Sequence, residues 1–232
     1  RFGDYASPQY GTIKSSENYE RRFIMTFPNE TLPKGRKQKT TALYDRFVNQ
    51  GAVMGDSFGL ENVLWFANNK EDAHEEPTIK RSRSHDYVSK EVINVRENVG
   101  LIEVANFSKH EFKGPDARKF LDHIMAGRLP KPGRISLSPM LSYRGKLCGD
   151  LTVACLDENE FMVFGSGAAQ EMHRRWFESH LDKFNLSYSN RSDEYHGLSI
   201  AGPNSRKVLE KIVRDDVSNE KFKFRDSRRM FV

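Results

Sequence analysis

An eleven-residue stretch occurs twice in this chain. Residues 114–124 read GPDARKFLDHI and residues 202–212 read GPNSRKVLEKI, 88 positions apart, with six of eleven positions identical. The shared residues are Gly114/Gly202, Pro115/Pro203, Arg118/Arg206, Lys119/Lys207, Leu121/Leu209 and Ile124/Ile212. Each copy follows a strand-like run, HEFKG and GLSIAG. Each opens a helix with its proline in the first turn, where a missing N–H costs nothing. Phe120, Leu121, Ile124 and Met125 give one helix an apolar face; Val208, Leu209, Ile212 and Val213 give the other its own. The competing reading is chance likeness between two amphipathic helices, and the shared strand–Gly–Pro–helix context stands against it. A unit of strand, turn and helix used twice points to an α+β fold.

The repeat also bears on extent. A hairpin follows the first copy, from Arg134 to Ser166, which lies 52 residues after Gly114. The matching point after Gly202 falls beyond Val232, so the second unit is expected to be incomplete. The first residue is Arg1, and the chain reads as a processed or cut piece. At 232 residues it has length for one large domain or two small ones. Mean hydropathy is −0.70 and 37% of residues are apolar, but 16 phenylalanines argue against disorder. No apolar run approaches about eighteen residues, which excludes a helical membrane span. Cys148 and Cys155 alone cannot make a disulfide framework or a zinc site, so no metal is assigned and a reducing compartment is expected. That compartment is the cytoplasm, or the mitochondrial matrix in a eukaryote.

Net charge is +5, and all of the excess lies after residue 80. Lys221, Lys223, Arg225, Arg228 and Arg229 face only Asp226 among the last twelve residues. Phe222 and Phe224 alternate with the basic residues. Basic residues interleaved with aromatics suit a nucleic-acid surface. Period-two alternation is also the ordinary signature of a half-buried strand with a solvated basic face, and we expect that strand and no nucleic-acid partner.

Residues 1–35, rich in Tyr, Pro, Gly and Asn, are expected to be irregular and wrapped on a partner surface. Thr40 to Gln50 predicts a short helix capped by Thr40 or Thr41, with Leu43 and Phe47 on one face and Gly51 ending it. Residues 68–85 carry charges without periodicity, which reads as a loop and places the domain boundary there, giving domains 1–80 and 81–232. Asp86 to Asn98 predicts a helix with Val88, Val92 and Val95 in step, and Leu101 to Val104 a strand.

In LCGDLTVACL, Leu147, Gly149, Leu151 and Val153 alternate with Cys148, Asp150, Thr152 and Ala154, which marks a strand. Asp157 to Glu160 is the turn, and Phe161 to Phe164 returns. Asp150 therefore lies inside a strand, on the face of Cys148, Thr152 and Ala154. Acidic residues are poor strand formers, and a neighbouring glycine suggests close approach of something. Such a carboxylate could orient a cationic or N–H donor ligand or act as a weak base. Pattern alone favours a solvent-facing aspartate on a half-exposed strand. Gly165 to Gln170 (GSGAAQ) misses the third glycine of a dinucleotide loop, and its strand belongs to a hairpin, so it reads as a tight turn. The following helix, to about Lys183, is expected to bury Met172, Trp176, Phe177 and Leu181. His173 and His180, seven residues apart on it, are expected at the surface.

Four stretches carry a resemblance: VRENVGLIEVANF (95–107), GRISLSPML (133–141), GKLCGDLTV (145–153) and FMVFGSGAAQEMHRRW (161–176). They resemble the folate-binding aminomethyltransferase family, which includes the glycine cleavage T-protein and the C-terminal halves of dimethylglycine and sarcosine dehydrogenases. Pro28 to Ala67 resembles the linking domain between the flavin and folate parts of those dehydrogenases, a segment T-protein lacks. The resemblance implies an α+β folate-binding cloverleaf, here incomplete, preceded by a small linking domain.

It also implies a site. Asp150 stands where the family has its key acid, near folate nitrogens, positioning the cofactor and helping deprotonation as N5 or N10 attacks a methylene or iminium carbon. Phe107 matches a residue packing near the pterin, Met140 and Leu141 an apolar pair lining the channel, and Phe164 an apolar wall. Ser166 stands where T-proteins often have Asn, and a hydroxyl offers fewer donors than an amide. The chain departs from the family in having no GxGxxG and in ending before a Gly-Asp-Gly-Tyr-Glu-like segment. It is therefore not expected to oxidise a substrate alone.

The expected function is the folate-binding portion of a dimethylglycine/sarcosine dehydrogenase-like enzyme. The whole enzyme would oxidise an N-methyl amine with FAD in another part of the protein and pass the one-carbon unit to tetrahydrofolate as 5,10-methylenetetrahydrofolate. Two alternatives stand beside it: a stand-alone aminomethyltransferase or folate-dependent demethylase without flavin, and a non-catalytic folate-fold binding module.

Overall fold

The computed structural model describes residues 7–28 and 30–232. Contacts divide the chain into two compact units: residues 1–103 with 200–203, and residues 104–199 with 204–232. The division at Glu103/Val104 leaves the loop at 68–85 inside the first unit.

The first unit opens with α1 (Pro8–Glu20), where irregular structure was expected. Residues 1–6 of that stretch lie outside the described residues. Ser7 Oγ caps α1 by accepting the Tyr10 N–H at 3.1 Å, and Pro8 fills the first turn. The helix has no apolar stripe for periodicity to find. Its one buried residue is Glu17, which accepts from Lys14 Nζ at 3.0 Å and from the Lys34 backbone N–H at 2.7 Å. α2 (Tyr44–Asn49) is shorter than expected, and neither threonine caps it with its side chain. A backbone bond from the Tyr44 N–H to the Thr41 carbonyl, 3.2 Å, forms the turn before it.

β1 (Ala52–Ser57) and β2 (Leu60–Phe66) pair as an antiparallel hairpin. Val53, Trp65 and Ala67 form its small core. Trp65 stacks on Tyr87 with centroids 4.9 Å apart and donates to Glu75 Oε1 at 2.6 Å. Buried Glu61 accepts from Arg36 Nε at 2.9 Å. The loop after β2 is irregular but tethered: Asp72 accepts from Tyr87 Oη at 2.7 Å and from Arg83 Nη1 at 2.8 Å. α3 (Ser84–Glu97) and β3 (Gly100–Glu103) follow close to their expected spans.

The second unit is built on one sheet. β4 (Ser108–Lys113), β5 (Arg134–Leu141), β6 (Leu147–Asp157), β7 (Glu160–Gly165) and β8 (Ser187–Asn190) lie in the order β5-β6-β7-β4-β8, antiparallel throughout. α4 (Ala117–Ile124) and α5 (Gln170–Glu178) supply Phe120, Leu121, Ile124 and Phe177 to its core. These meet Phe112, Leu151, Val153, Phe161 and Val163 from the sheet. Phe112, Phe120, Phe161 and Phe177 are fully buried, each worth about 1.5–3 kcal/mol relative to exposure.

α5 stops at Glu178, earlier than expected, and a 3₁₀ turn covers Leu181–Lys183. Its inward stripe is His173 and Phe177. Met172 is 53% exposed and His173 is 2% exposed, the reverse of the sequence expectation. The GSGAAQ segment is the tight turn from β7 into α5.

β9 (Leu198–Ala201) leads into α6 (Ser205–Leu209), the helix of the second repeat copy. The two copies share backbone detail. Gly114 has φ +139 and Gly202 has φ +117, both left-handed, and each leaves no room for a side chain. Pro115 and Pro203 sit in the turn just ahead of their helices, two residues before the first helical one. Arg118 Nη1 donates to the Pro130 carbonyl at 3.1 Å, and Arg206 Nη1 donates to the Val217 carbonyl. The repeat is thus a repeated local structure. The copies differ in burial: α4 has four buried residues, and α6 has none.

The basic segment near the end is not the expected strand. Residues 221–226 form turns, closed by the Asp226 N–H to the Lys223 carbonyl at 2.9 Å, and Asp226 Oδ2 accepts the Lys223 N–H at 2.7 Å. Asp226 side-chain and backbone bonds override the alternation. The segment lies along β5: the Ile135 N–H donates to the Arg225 carbonyl at 2.9 Å, and Arg134 pairs with Asp226. At the other end of β5 the Ala126 N–H donates to the Pro139 carbonyl at 2.8 Å.

Candidate functional site

The sheet of the second unit has two faces. Leu151, Val153, Cys155, Phe161, Val163 and Phe112 point to the helices. Their strand neighbours point the other way, because successive side chains alternate. Pairing then assembles that second face row by row. Leu137 lies opposite Thr152, Thr152 opposite Phe164, and Phe164 opposite Lys109. Asp150 lies opposite Pro139. Two residues on from the Thr152–Phe164 pair come Asp150 in one strand and Ser166 in the other. One residue beyond the Ser108–Gly165 pair come Phe107 and, again, Ser166.

Asp150, Phe107, Leu141 and Ser166 thus belong to one end of the sheet, although they come from four separate stretches of chain. All four are exposed, and Phe164 is half-buried beside them. Leu137 is 63% exposed on the same face, an apolar neighbour that the sequence reading missed. Its alternation with core-facing Ser138 and Ser136 carried no hydrophobic signal.

Met140 departs from the expected placement. It is fully buried in the core cluster. Adjacent strand residues face opposite ways, so Met140 and Leu141 could not both line one channel. A β-bulge falls at this point: the register slips between Met140 and Leu141, with Gly149 and Leu147 opposite them. The bulge also separates Cys148 from Asp150, since Cys148 packs against the core cluster.

Lys109 shows how the Phe107 end is held. It is 3% exposed, and its ammonium donates to the Ala105 carbonyl at 3.1 Å and the Phe107 carbonyl at 2.8 Å. A buried cation bonded to two carbonyls fixes that turn. Behind the sheet lie two buried histidines, His110 and His173, with ring centroids 6.4 Å apart. Burial, reinforced by the neighbouring His173, pushes the His110 pKa down to about 3, so it is neutral. Burial also pushes His173 down. His110 Nδ1 meets Tyr188 Oη at 2.9 Å.

Among the described residues no three His, Cys, Asp or Glu side chains come together as a metal site requires. No helix among them is long and apolar enough to cross a membrane. Two open clefts lie in the first unit, both lined by Pro28, Glu75 and Glu76, and neither includes a predicted site residue.

An antiparallel sheet with helices on one face and a carboxylate among apolar residues at one end of the other defines an α+β unit with a candidate ligand surface. The chain belongs to the GCVT N-terminal domain family, whose profile matches residues 43–232. It is 32% identical to human mitochondrial dimethylglycine dehydrogenase over its whole length, which is 27% of that protein. It is 28% identical to an aminomethyltransferase of Staphylococcus epidermidis, over 83% of this chain and 49% of that one. The chain therefore spans about a quarter to a half of these relatives. Its fold matches the crystal structure of glycine cleavage system aminomethyltransferase T from Bartonella henselae, with a TM-score of 0.67 over 82% of this chain and 46% of that one, at 21% identity.

Proposed function

We propose that this chain is the folate-binding portion of a larger dehydrogenase that removes a methyl group from an N-methyl amine and delivers it, oxidised, to tetrahydrofolate. The observation that carries the reading is the gathering of Asp150, Phe107, Leu141, Phe164 and Ser166 at one sheet end. A pterin is a flat ring with N–H donors on its edge. The apolar side chains suit its faces and keep water off, and the Asp150 carboxylate suits the N–H groups, since it only accepts. Ser166 offers one hydroxyl. When bound, tetrahydrofolate would supply the amine nitrogens that take up the one-carbon unit. Asp150 would hold that ring edge in register and stabilise positive charge developing there.

The likeness to dimethylglycine dehydrogenase covers the whole chain, whereas the likeness to aminomethyltransferase covers 83% of it. That difference supports the flavin-linked branch, with FAD held elsewhere in the full-length enzyme. The GCVT profile begins at residue 43, so the aminomethyltransferase-like part starts inside the expected 1–80 linking domain and leaves at most residues 1–42 to such a segment, with the expected 81–232 folate domain beginning earlier than its bound. In a eukaryote the proposed setting is the mitochondrial matrix, a reading supported by the mitochondrial dimethylglycine dehydrogenase relative. The test is Asp150→Ala in the full-length enzyme. Amine oxidation, followed by dye reduction, should stay near wild type. Folate capture of the one-carbon unit should fall by about 10²-fold, with formaldehyde released instead. Equal loss of both activities overturns the reading.

A further inference from the structure

We infer that His173 is a positioning residue, a wedge on the helix side of the sheet that fixes the strand ends carrying Asp150 and Ser166. The inference rests on the folate reading of that sheet end. The imidazole is 2% exposed and sits against two strands at once. A side chain at Gly149 of β6 would place its Cβ 2.9 Å from His173 Nε2. One at Gly165 of β7 would lie 3.0 Å from His173 Nδ1 and 2.6 Å from Leu151 Cδ2. A side chain at Gly149 would therefore push the ring, and one at Gly165 would crowd it while clashing first with Leu151. Gly149 immediately precedes Asp150, and Gly165 stands between Phe164 and Ser166.

The ring also makes a directed bond. His173 Nε2 lies 3.3 Å from the Cys148 carbonyl. A carbonyl only accepts, so Nε2 carries the proton and the ring is the Nε2–H tautomer. Cys148 occupies the bulge, where the ladder with β5 is interrupted. Helix α5 thus supplies a donor to a strand residue whose neighbour two positions on is Asp150. A rigid ring touching both strands sets their separation, and the bond sets the twist at the bulge. Nothing in this arrangement brings His173 to the ligand face.

The experiment compares His173→Phe, His173→Gln, Gly149→Ala and Asp150→Ala in the full-length protein. The readouts are the Kd for unreactive 5-formyltetrahydrofolate, by calorimetry, and the thermal midpoint. His173→Phe keeps a ring but removes the donor, and should weaken binding about tenfold or more. His173→Gln places an amide N–H near the Nε2 position and should recover most of that loss, a rescue that stability alone does not produce. Wild-type affinity in His173→Phe, alongside lost affinity in Asp150→Ala, overturns the inference and leaves the folate reading standing. Wild-type affinity in Asp150→Ala overturns both. If His173→Phe does not fold, Gly149→Ala decides: its Cβ displaces the ring, so weakened binding supports the inference and unchanged binding overturns it.

Discussion

His110 shows what burial does to a titratable side chain. Its native pKa is about 3, because burial and the nearby His173 disfavour the charged ring, while an unfolded histidine titrates near 6.5. As pH falls below about 6.5 the unfolded chain takes up a proton that the native one refuses. Stability should be level above that value and decline between it and about 3, by about 2 kcal/mol from pH 7 to pH 5. Urea melts across this range will show the decline, and His110→Phe should flatten it; parallel curves for the two proteins would refute the assignment. The residue scale is also where the sequence was hardest to read. The strand position of Asp150 was legible, because alternation marks β6, while its proposed role came from the family resemblance. Met140 and His173 were not: the resemblance set Met140 beside Leu141 although alternation along β5 puts them on opposite faces, and a buried histidine on α5 looks like a surface one. Only packing shows that His173 faces inward while Met172 faces out.

The repeated element gives a sharper contrast. Its glycine, proline and arginine do the same work in both copies, and all three could be read from the sequence. Burial could not, because it depends on what each helix packs against. Phe120→Ala should therefore cost about 3–5 kcal/mol, the range for emptying a filled aromatic site. Val208→Ala, at the matching position of α6, should cost less than about 1 kcal/mol in this 232-residue chain. Gly114→Ala forces a side chain into a left-handed turn, 2.7 Å from Leu186 Cα, and should cost about 2 kcal/mol or more. Denaturant midpoints measure all three, and near-equal losses for Phe120→Ala and Val208→Ala would contradict the burial pattern. α1 lies at the other extreme. A polar helix tied down by Glu17 sends no periodic signal, so irregular structure was expected in its place.

At the scale of the molecule, charge and spacing found the loop after β2 but not its tethers. Arg83 and Tyr87 reach back to Asp72, and Trp65 to Glu75, so the loop is held against the first unit. Asp72→Ala should speed tryptic cleavage at Lys70 and Lys80, read by mass spectrometry, with little change in the second unit; unchanged cleavage would mean that the tethers do not hold the loop. The sheet of the second unit was legible as a hairpin plus isolated strands, but its order required the structure. That order leaves β5 at a border, where Pro139 has no N–H to offer and residues 126 and 225 occupy neighbouring positions. Residues 225–227 cover part of that border, with the Ile135 N–H donating to the Arg225 carbonyl and the Ser227 N–H to the Gly133 carbonyl. Deleting residues 221–232 should leave the Ile135 N–H and the Gly133 carbonyl open for a strand of another molecule, and light scattering should then climb with concentration more steeply than for the intact chain; equal scattering would refute this.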